Sequence, residues 1–439
     1  MKTVVMCALA LAGLASVVTP TVAGAGPETP KVERVRPLSP DPLRAAPGVF
    51  FCEDLETITD LKGRFNDLGL NDGRFGLTAV DPFSGEKSIQ QTYIPLTEIP
   101  EGADPGNAGW VWRFFGDNPN GRIENPGKYE TVVARWYHKF EEGFTPRDGT
   151  HFPPKMARMG VFRPGDWSGA YRVYFWIGGE DGHISIERRT RAPGAHREWL
   201  PNYECQWRFS DPVNVGRWIH FELRVALGKG KRADQIQAWA DGILVCDVVG
   251  DDLAAGYREY TLNGMQWDCY WNGGSPVKQS RFYDDLMLAT EPIGPARTGL
   301  NPVIVLSEAP VEAKAGAFEV EVAEASQKPL VVAHTVDEVV TRHQVPEFEY
   351  TVVWKGSAAE GSKELEVSSE NGEFVGPRAG QDGLRPNTLH MVRVRQEGPS
   401  GMWSEWSRWH AGFATTWGEA TPPEERTPPK GYLLGHARK

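Results

Sequence analysis

The sequence predicts an all-β protein of two sandwich domains, and three observations carry the prediction. From Val49 onward, short runs of β-branched and aromatic residues alternate with turn residues. No long segment keeps the 3.6-residue apolar period of an amphipathic helix. Near Asn301 the composition shifts toward Val, Glu and Ala, separating a large first domain (48–295) from a smaller second one (301–418).

The N-terminus reads as a secretory signal over 1–25. Lys2 supplies the positive start, Val4 to Val18 is apolar but too short to span a bilayer, and Ala23-Gly24-Ala25 offers a cleavage site. Residues 26–47 are rich in Pro and charge and are expected to be a linker, and 419–439 a loose tail. No later stretch reaches the ~18 apolar residues of a membrane span. A secreted or periplasmic monomer is the expectation.

Within the first domain, the strands include Glu130 to Tyr137, Ala170 to Trp176, Trp218 to Val225 and Gln235 to Ala240. Asp241-Gly242 followed by Ile243-Leu244-Val245 signals a hairpin. Cys52, Cys205, Cys246 and Cys269 remain once a signal is removed. Three disulfide pairings, or buried free thiols, stay open. Close cysteine pairs of the kind zinc wants are absent, so no metal site is expected, with calcium left open.

A net charge of −11 argues against nucleic acid as a partner. The 16 Trp residues among Gly and Pro turns point to glycans, whose C–H faces stack on aromatic rings. A retaining glycosidase needs two carboxylates close together on one face. Asp284 and Asp285 are adjacent and so point to opposite faces, which suits the fold or a bound cation better.

Charge reverses between Arg135 and Arg197, where eleven Lys and Arg residues face seven acidic ones. His138, His151, His183 and His196 fall in the same window. This is the composition of a surface for an acidic polymer, or of an ordinary solvated face.

Three stretches resemble known families. Arg281-Phe282-Tyr283-Asp284-Asp285-Leu286 and the exit Pro292-Ile293-Gly294 resemble the closing strand of concanavalin-A-like jelly-roll β-sandwich domains. The first and last strands of that fold lie side by side, which favours a Cys52–Cys269 disulfide. Ala134 to Phe144, followed by Phe152 to Gly160, resembles the alginate and glucuronan polysaccharide lyases of that fold. There a lysine after a short loop serves the cleft, and Lys155 matches it. Arg172 matches an arginine on the following strand. The family's Tyr-x-Tyr strand reads Ile184-Ser185-Ile186 here, and Met156-Ala157-Arg158 replaces Leu-Pro-Gly.

The resemblance implies β-elimination on a uronate, or glycan binding without catalysis. Lys155 and Arg172 would neutralise the substrate carboxylate, while Tyr174 or His138 would move the C5 proton. Arg135, Tyr137, Arg158 and Trp176 would hold the sugar chain.

In the second domain, Leu384-Arg385-Pro386-Asn387-Thr388 resembles a late strand of fibronectin type III domains. Trp403-Ser404-Glu405-Trp406-Ser407 matches the Trp-Ser-x-Trp-Ser motif of one branch of that fold. Trp403, Trp406 and Trp409 recur at the three-residue period of an extended turn. Arg393 and Arg395 alternate on the neighbouring strand and would interleave with them. Each cation–π contact contributes about 0.5–1 kcal/mol. The motif therefore reads as a scaffold rather than a sugar site.

Overall fold

The computed structural model describes residues 30–432 apart from 71–72, 102–106, 124–125, 146–153, 179–180, 190–196, 201, 210, 230–231, 252, 258–259, 272–273, 308–315, 337–338, 418–427 and 431. The segment expected to be a signal and most of the expected tail therefore lie outside the described residues. Strands dominate, joined by turns and single 3-10 turns, and no described helix is long and apolar enough to cross a membrane.

The first domain is a jelly-roll β-sandwich of two antiparallel sheets. One sheet runs Arg197–Trp199, Asp181–Arg189, Asp166–Gly178, Lys155–Arg163, Gly264–Tyr270, Asn107–Phe114, Asp67–Gly69. The strand Tyr203–Arg208 pairs with Asp181–Arg189. The other sheet runs Phe75–Thr78, Ser88–Tyr93, Gln279–Ala289, Thr131–Phe140, Trp218–Ala226, Asp234–Ala240, Ile243–Gly250, and continues by pairing of its last strand with Val339–Ala358. Alternation sends Val173, Phe175 and Ile177 from the first sheet against Trp136, Phe221 and Leu223 from the second. The opening strand Val49–Glu53 does lie beside the closing strand Gln279–Ala289. Even so, none of Cys52, Cys205 and Cys246 forms a disulfide, and the Cys269 side chain lies outside the described residues.

The segment expected to be a linker is structural. Val32–Val35 forms a strand that pairs with Val303–Leu306, which in turn pairs with Glu364–Glu366. This small sheet packs on a second one made of Phe318–Val336, Val339–Ala358, Leu389–Gln396 and His410–Thr415. Val32, Val35, Ile304 and Leu306 meet Val320, Trp354, Val392 and Phe413 in one core. The second sandwich thus takes a strand from the N-terminal arm. Four residues were too few for a legible strand period, which is why composition misled.

The tryptophan spacing produces the expected ladder. The Arg393 guanidinium lies 4.8 Å from the Trp406 ring and 4.6 Å from Trp409. Arg395 lies 4.8 Å from Trp406 and 5.2 Å from Trp403. Glu321 and Glu319 hold the two arginines from the adjoining strand, accepting from Nε at 2.8 and 2.6 Å. Both serines of the motif act on the backbone: the Ser407 and Ser404 hydroxyls accept from the Val394 and Gln396 amides, each at 3.0 Å. They supply the acceptors that a regular strand's carbonyls would otherwise provide.

Arg135 ties the arm to the first sandwich. It is fully buried between Asp41, on the arm, at 2.9 Å and Asp285, in the closing strand, at 2.6 Å. Asp285 sits at φ 50, where the register of that strand shifts, and Asp284 accepts the Phe83 and Ser84 amides. The acidic pair therefore serves the fold. Removing one partner of a buried ion pair typically costs about 3–5 kcal/mol. Arg135→Ala should lose stability of this order in urea unfolding; a loss within ~0.5 kcal/mol, normal for surface changes, would show that the triad holds nothing.

Glu222 docks the exit from the first sandwich, accepting the Ile293 amide at 3.2 Å and the Gly294 amide at 2.8 Å. Burial outweighs these bonds and pushes its carboxyl up to about 7. His220, 3.8 Å away, is held neutral by burial. Between the ordinary carboxyl value of 4.5 and 7, the folded state keeps a proton that the unfolded chain releases. That contribution is full below the lower value and is lost as pH rises through the upper one. The melting temperature of Glu222→Gln, relative to the wild-type protein, should therefore climb from pH 5 to pH 8; a pH-independent difference would contradict the shift.

Candidate functional site

Register assembles the candidate site from four strands. In Asp166–Gly178, the residues Tyr171, Val173 and Phe175 enter the core. Arg172, Tyr174 and Trp176 consequently stand on the outer face. Tyr174 is opposite Ser185 on one side and Arg158 on the other. Arg158 is in turn opposite Gln266, and Gln266 opposite Trp112. One row thus crosses the sheet as Ser185, Tyr174, Arg158, Gln266, Trp112. Lys155 and His183 flank Trp176 in the neighbouring row.

The floor beyond Arg158 is aromatic, with Trp112 stacked on Phe114 at 5.2 Å and Phe162 edge-on to both. Gly160 and Gly264 lie opposite each other between these rings and Arg172. A Cβ on Gly160 would come 2.5 Å from the Tyr171 carbonyl oxygen, and one on Gly264 2.8 Å from the Phe114 ring. Side chains there would separate the strands or displace the floor.

Electrostatics divides the face into a covered triad and an accessible rim. Glu187, fully buried, accepts the Tyr174 hydroxyl and pairs with Arg172 at 3.4 Å. Arg172 also donates to the Trp167 carbonyl at 2.9 Å, and its guanidinium rests 5.1 Å from the Phe162 ring. Burial pulls the Arg172 pKa down from its ordinary value and pushes that of Tyr174 up, so the phenol holds its proton at neutral pH. Arg158 lies over the Tyr174 ring at 4.8 Å and Lys155 over Tyr270 at 4.5 Å. Both cations are half-buried, as is Trp176, whose indole nitrogen donates to Ser185 at 2.6 Å. Trp167 and Trp199 project at the edge.

Of the eight residues singled out from sequence, Lys155, Arg158, Arg172, Tyr174 and Trp176 share this face. Arg135, Tyr137 and His138 do not, because Thr131–Phe140 belongs to the opposite sheet. His138 points between the sheets, 4.4 Å from the Phe140 ring and 4.5 Å from Tyr283. Neither of its nitrogens has a described hydrogen-bond partner, and burial holds its pKa well below 6.5. Tyr137 stacks on Phe83 at 3.5 Å and accepts the Ala296 amide. Arg135 is enclosed by Asp41 and Asp285. None of the three can reach a ligand on the outer face.

Sequence reasoning missed Glu187, Gln266 and Trp112. A signal for Glu187 existed: apolar Ile184 and Ile186 place Ser185 and Glu187 on the opposite, outward side. Among the described residues, no three His, Cys, Asp or Glu side chains converge as a metal would require.

Neither a family model nor a curated protein matches the sequence. Among solved structures, the chain is similar to alginate lyase vAL-1 from Chlorella virus, with TM-score 0.38 and 10% identity over 52% of this chain and 93% of that one. It is also similar to the binding domain of Paraclostridial Mosquitocidal Protein 1, with TM-score 0.33 and 10% identity over 79% and 75% of the two chains. The botulinum neurotoxin serotype C1 binding domain gives TM-score 0.33 and 8% identity over 80% and 73%. No residue role is transferred from any of them.

Glu187→Ala should destabilise the protein by about 3–5 kcal/mol, because it leaves Arg172 buried without its carboxylate. Adding Arg172→Met should restore much of that loss in urea unfolding. Equal instability of the single and double variants would show that Glu187 acts through packing alone.

Proposed function

We propose that this is an exported protein that holds a uronate-containing polysaccharide along the outer face of the first sandwich. The row Ser185, Tyr174, Arg158, Gln266, Trp112, flanked by Lys155 and Trp176, is the observation that supports this reading. It combines two half-buried cations for carboxylates with indole rings for sugar faces. Binding is the conclusion these residues favour, since the more buried cation, Arg172, already has a carboxylate partner. The second sandwich, by its tryptophan ladder, fits a fibronectin-type-III-like spacer or docking module.

Elimination is a second reading, favoured by the phenol of Tyr174 beneath the Arg158 guanidinium. Its hydroxyl could pass a proton to Glu187, and the phenolate could then take the C5 proton. The C4–O bond would break as the C4=C5 double bond forms, and the new phenol would protonate the leaving oxygen. Lys155 and Arg158 would stabilise charge on the carboxylate. The raised Tyr174 pKa opposes the first of these steps.

Calorimetry with an oligouronate and absorbance of unsaturated products separate the two readings. Arg158→Ala should weaken oligouronate binding about tenfold, or ~1.4 kcal/mol, and flatten its salt dependence. Under the second reading, the wild-type protein also generates absorbance, and Tyr174→Phe abolishes it. Equal affinity for oligouronates and neutral glucans, unchanged by Arg158→Ala, would overturn the proposal.

A further inference from the structure

A cavity lies away from this face. It occupies about 920 Å3 between the two sandwiches, within the size range of small-ligand pockets, which often form at domain interfaces. Tyr203 and Trp207 of the first sandwich line one side. Phe348, Tyr350 and Trp409 of the second line the other, with Tyr350 stacked 6.2 Å from Phe348 and 5.1 Å from Trp409.

Polar groups in the same wall are of two kinds. The arginines are already matched: Arg217 pairs with Asp241 at 2.5 Å, Arg408 with Asp211 at 3.2 Å, and Arg208 with Asp181 at 3.7 Å. The aromatic donors differ. Among the described residues the buried Trp207 indole nitrogen has no hydrogen-bond partner, and the half-buried Tyr203 and Tyr350 carry their hydroxyls in the same wall. Burial pushes both phenols up to about 12, so both remain donors at any physiological pH.

The geometry points to this cleft as a second carbohydrate site, one that takes a neutral oligosaccharide. Aromatic side chains from both sandwiches offer apolar surface to sugar C–H groups, and the phenol and indole donors offer hydrogen bonds to sugar oxygens. A uronate is disfavoured, because each guanidinium already faces a carboxylate and Glu204 adds another at the edge. The outer face has the opposite balance, with Lys155, Arg158 and Arg172 around Glu187. The two sites would therefore sort ligands by charge. Occupancy of the cleft would also join the sandwiches, since its walls come from both. This inference does not depend on the reading of the outer face.

Calorimetry on the full-length protein with cellohexaose, xylohexaose, mannohexaose and β-1,4-galactohexaose tests it. At least one should bind with sub-millimolar affinity, and binding should persist in Arg158→Ala. Combining Tyr203→Phe with Tyr350→Phe keeps both rings and removes both hydroxyls, and should weaken binding tenfold or more at an unchanged melting temperature. Tyr350→Ala should weaken it further and leave oligouronate affinity as in the wild-type protein. Absence of binding by all four sugars would overturn the inference. So would binding that survives the tyrosine variants, or that disappears with Arg158→Ala.

Discussion

The buried contact of Arg135 with Asp41 and Asp285 is the constraint on which much of the architecture depends. It joins three pieces of chain far apart in sequence: the arm, a central strand of the first sandwich, and the irregular point in the closing strand. A buried ion triad is weak evidence of net stability, because desolvation consumes much of the Coulomb gain. Its value lies in the penalty for any arrangement that leaves one member alone. Asp41 also accepts the Leu43 amide at the start of a short 3-10 turn, so the arm's direction is set where the ion pair forms. From there the arm runs back to Val32–Val35, whose Val32 amide donates to His410 of the second sandwich at 2.8 Å.

Period-two alternation made the strands of both sandwiches legible, and the Trp403, Trp406, Trp409 spacing made the ladder legible, because both are local repeats. What stayed hidden depends on coverage by distant chain. The run Ala134-Arg135-Trp136-Tyr137-His138 looks like a half-exposed strand with functional side chains. Both of its faces are buried, one by the opposite sheet and the other by the arm and the segment around Ala296. Nothing within ten residues of Arg135 announces Asp41. Likewise the strand 32–35 is defined by its partner 303–306 and has no turn chemistry of its own.

The candidate site shows the same division. Arg172, Tyr174 and Trp176 could be placed on one face by counting along a single strand. Arg158 could be added only through the register of the neighbouring strand, which shifts between Lys155 and Ala157. A residue of displacement would have sent Arg158 inward and Met159 out to solvent. The placement of the outer cations is thus a product of one irregularity in pairing. Arg172, which the sequence suggested as a ligand for substrate, is instead consumed by the floor that supports the accessible groups.

The pairing of the N-terminal arm with a strand far along the chain has a consequence for biogenesis. Residues 32–35 emerge early from a ribosome, yet their partners at 303–306 appear some 270 residues later. Closing so long a loop is entropically expensive and slow, and contacts of large sequence separation delay folding. Until then the second sandwich lacks an edge strand, and Ile304 and Leu306 lack the cover of Val32 and Val35. The nascent chain must pass through a stage in which its first segment waits, and in which the exposed edge can recruit the same segment from another molecule. Strand exchange between newly made chains is therefore the characteristic hazard of this design, and it falls as chains are diluted.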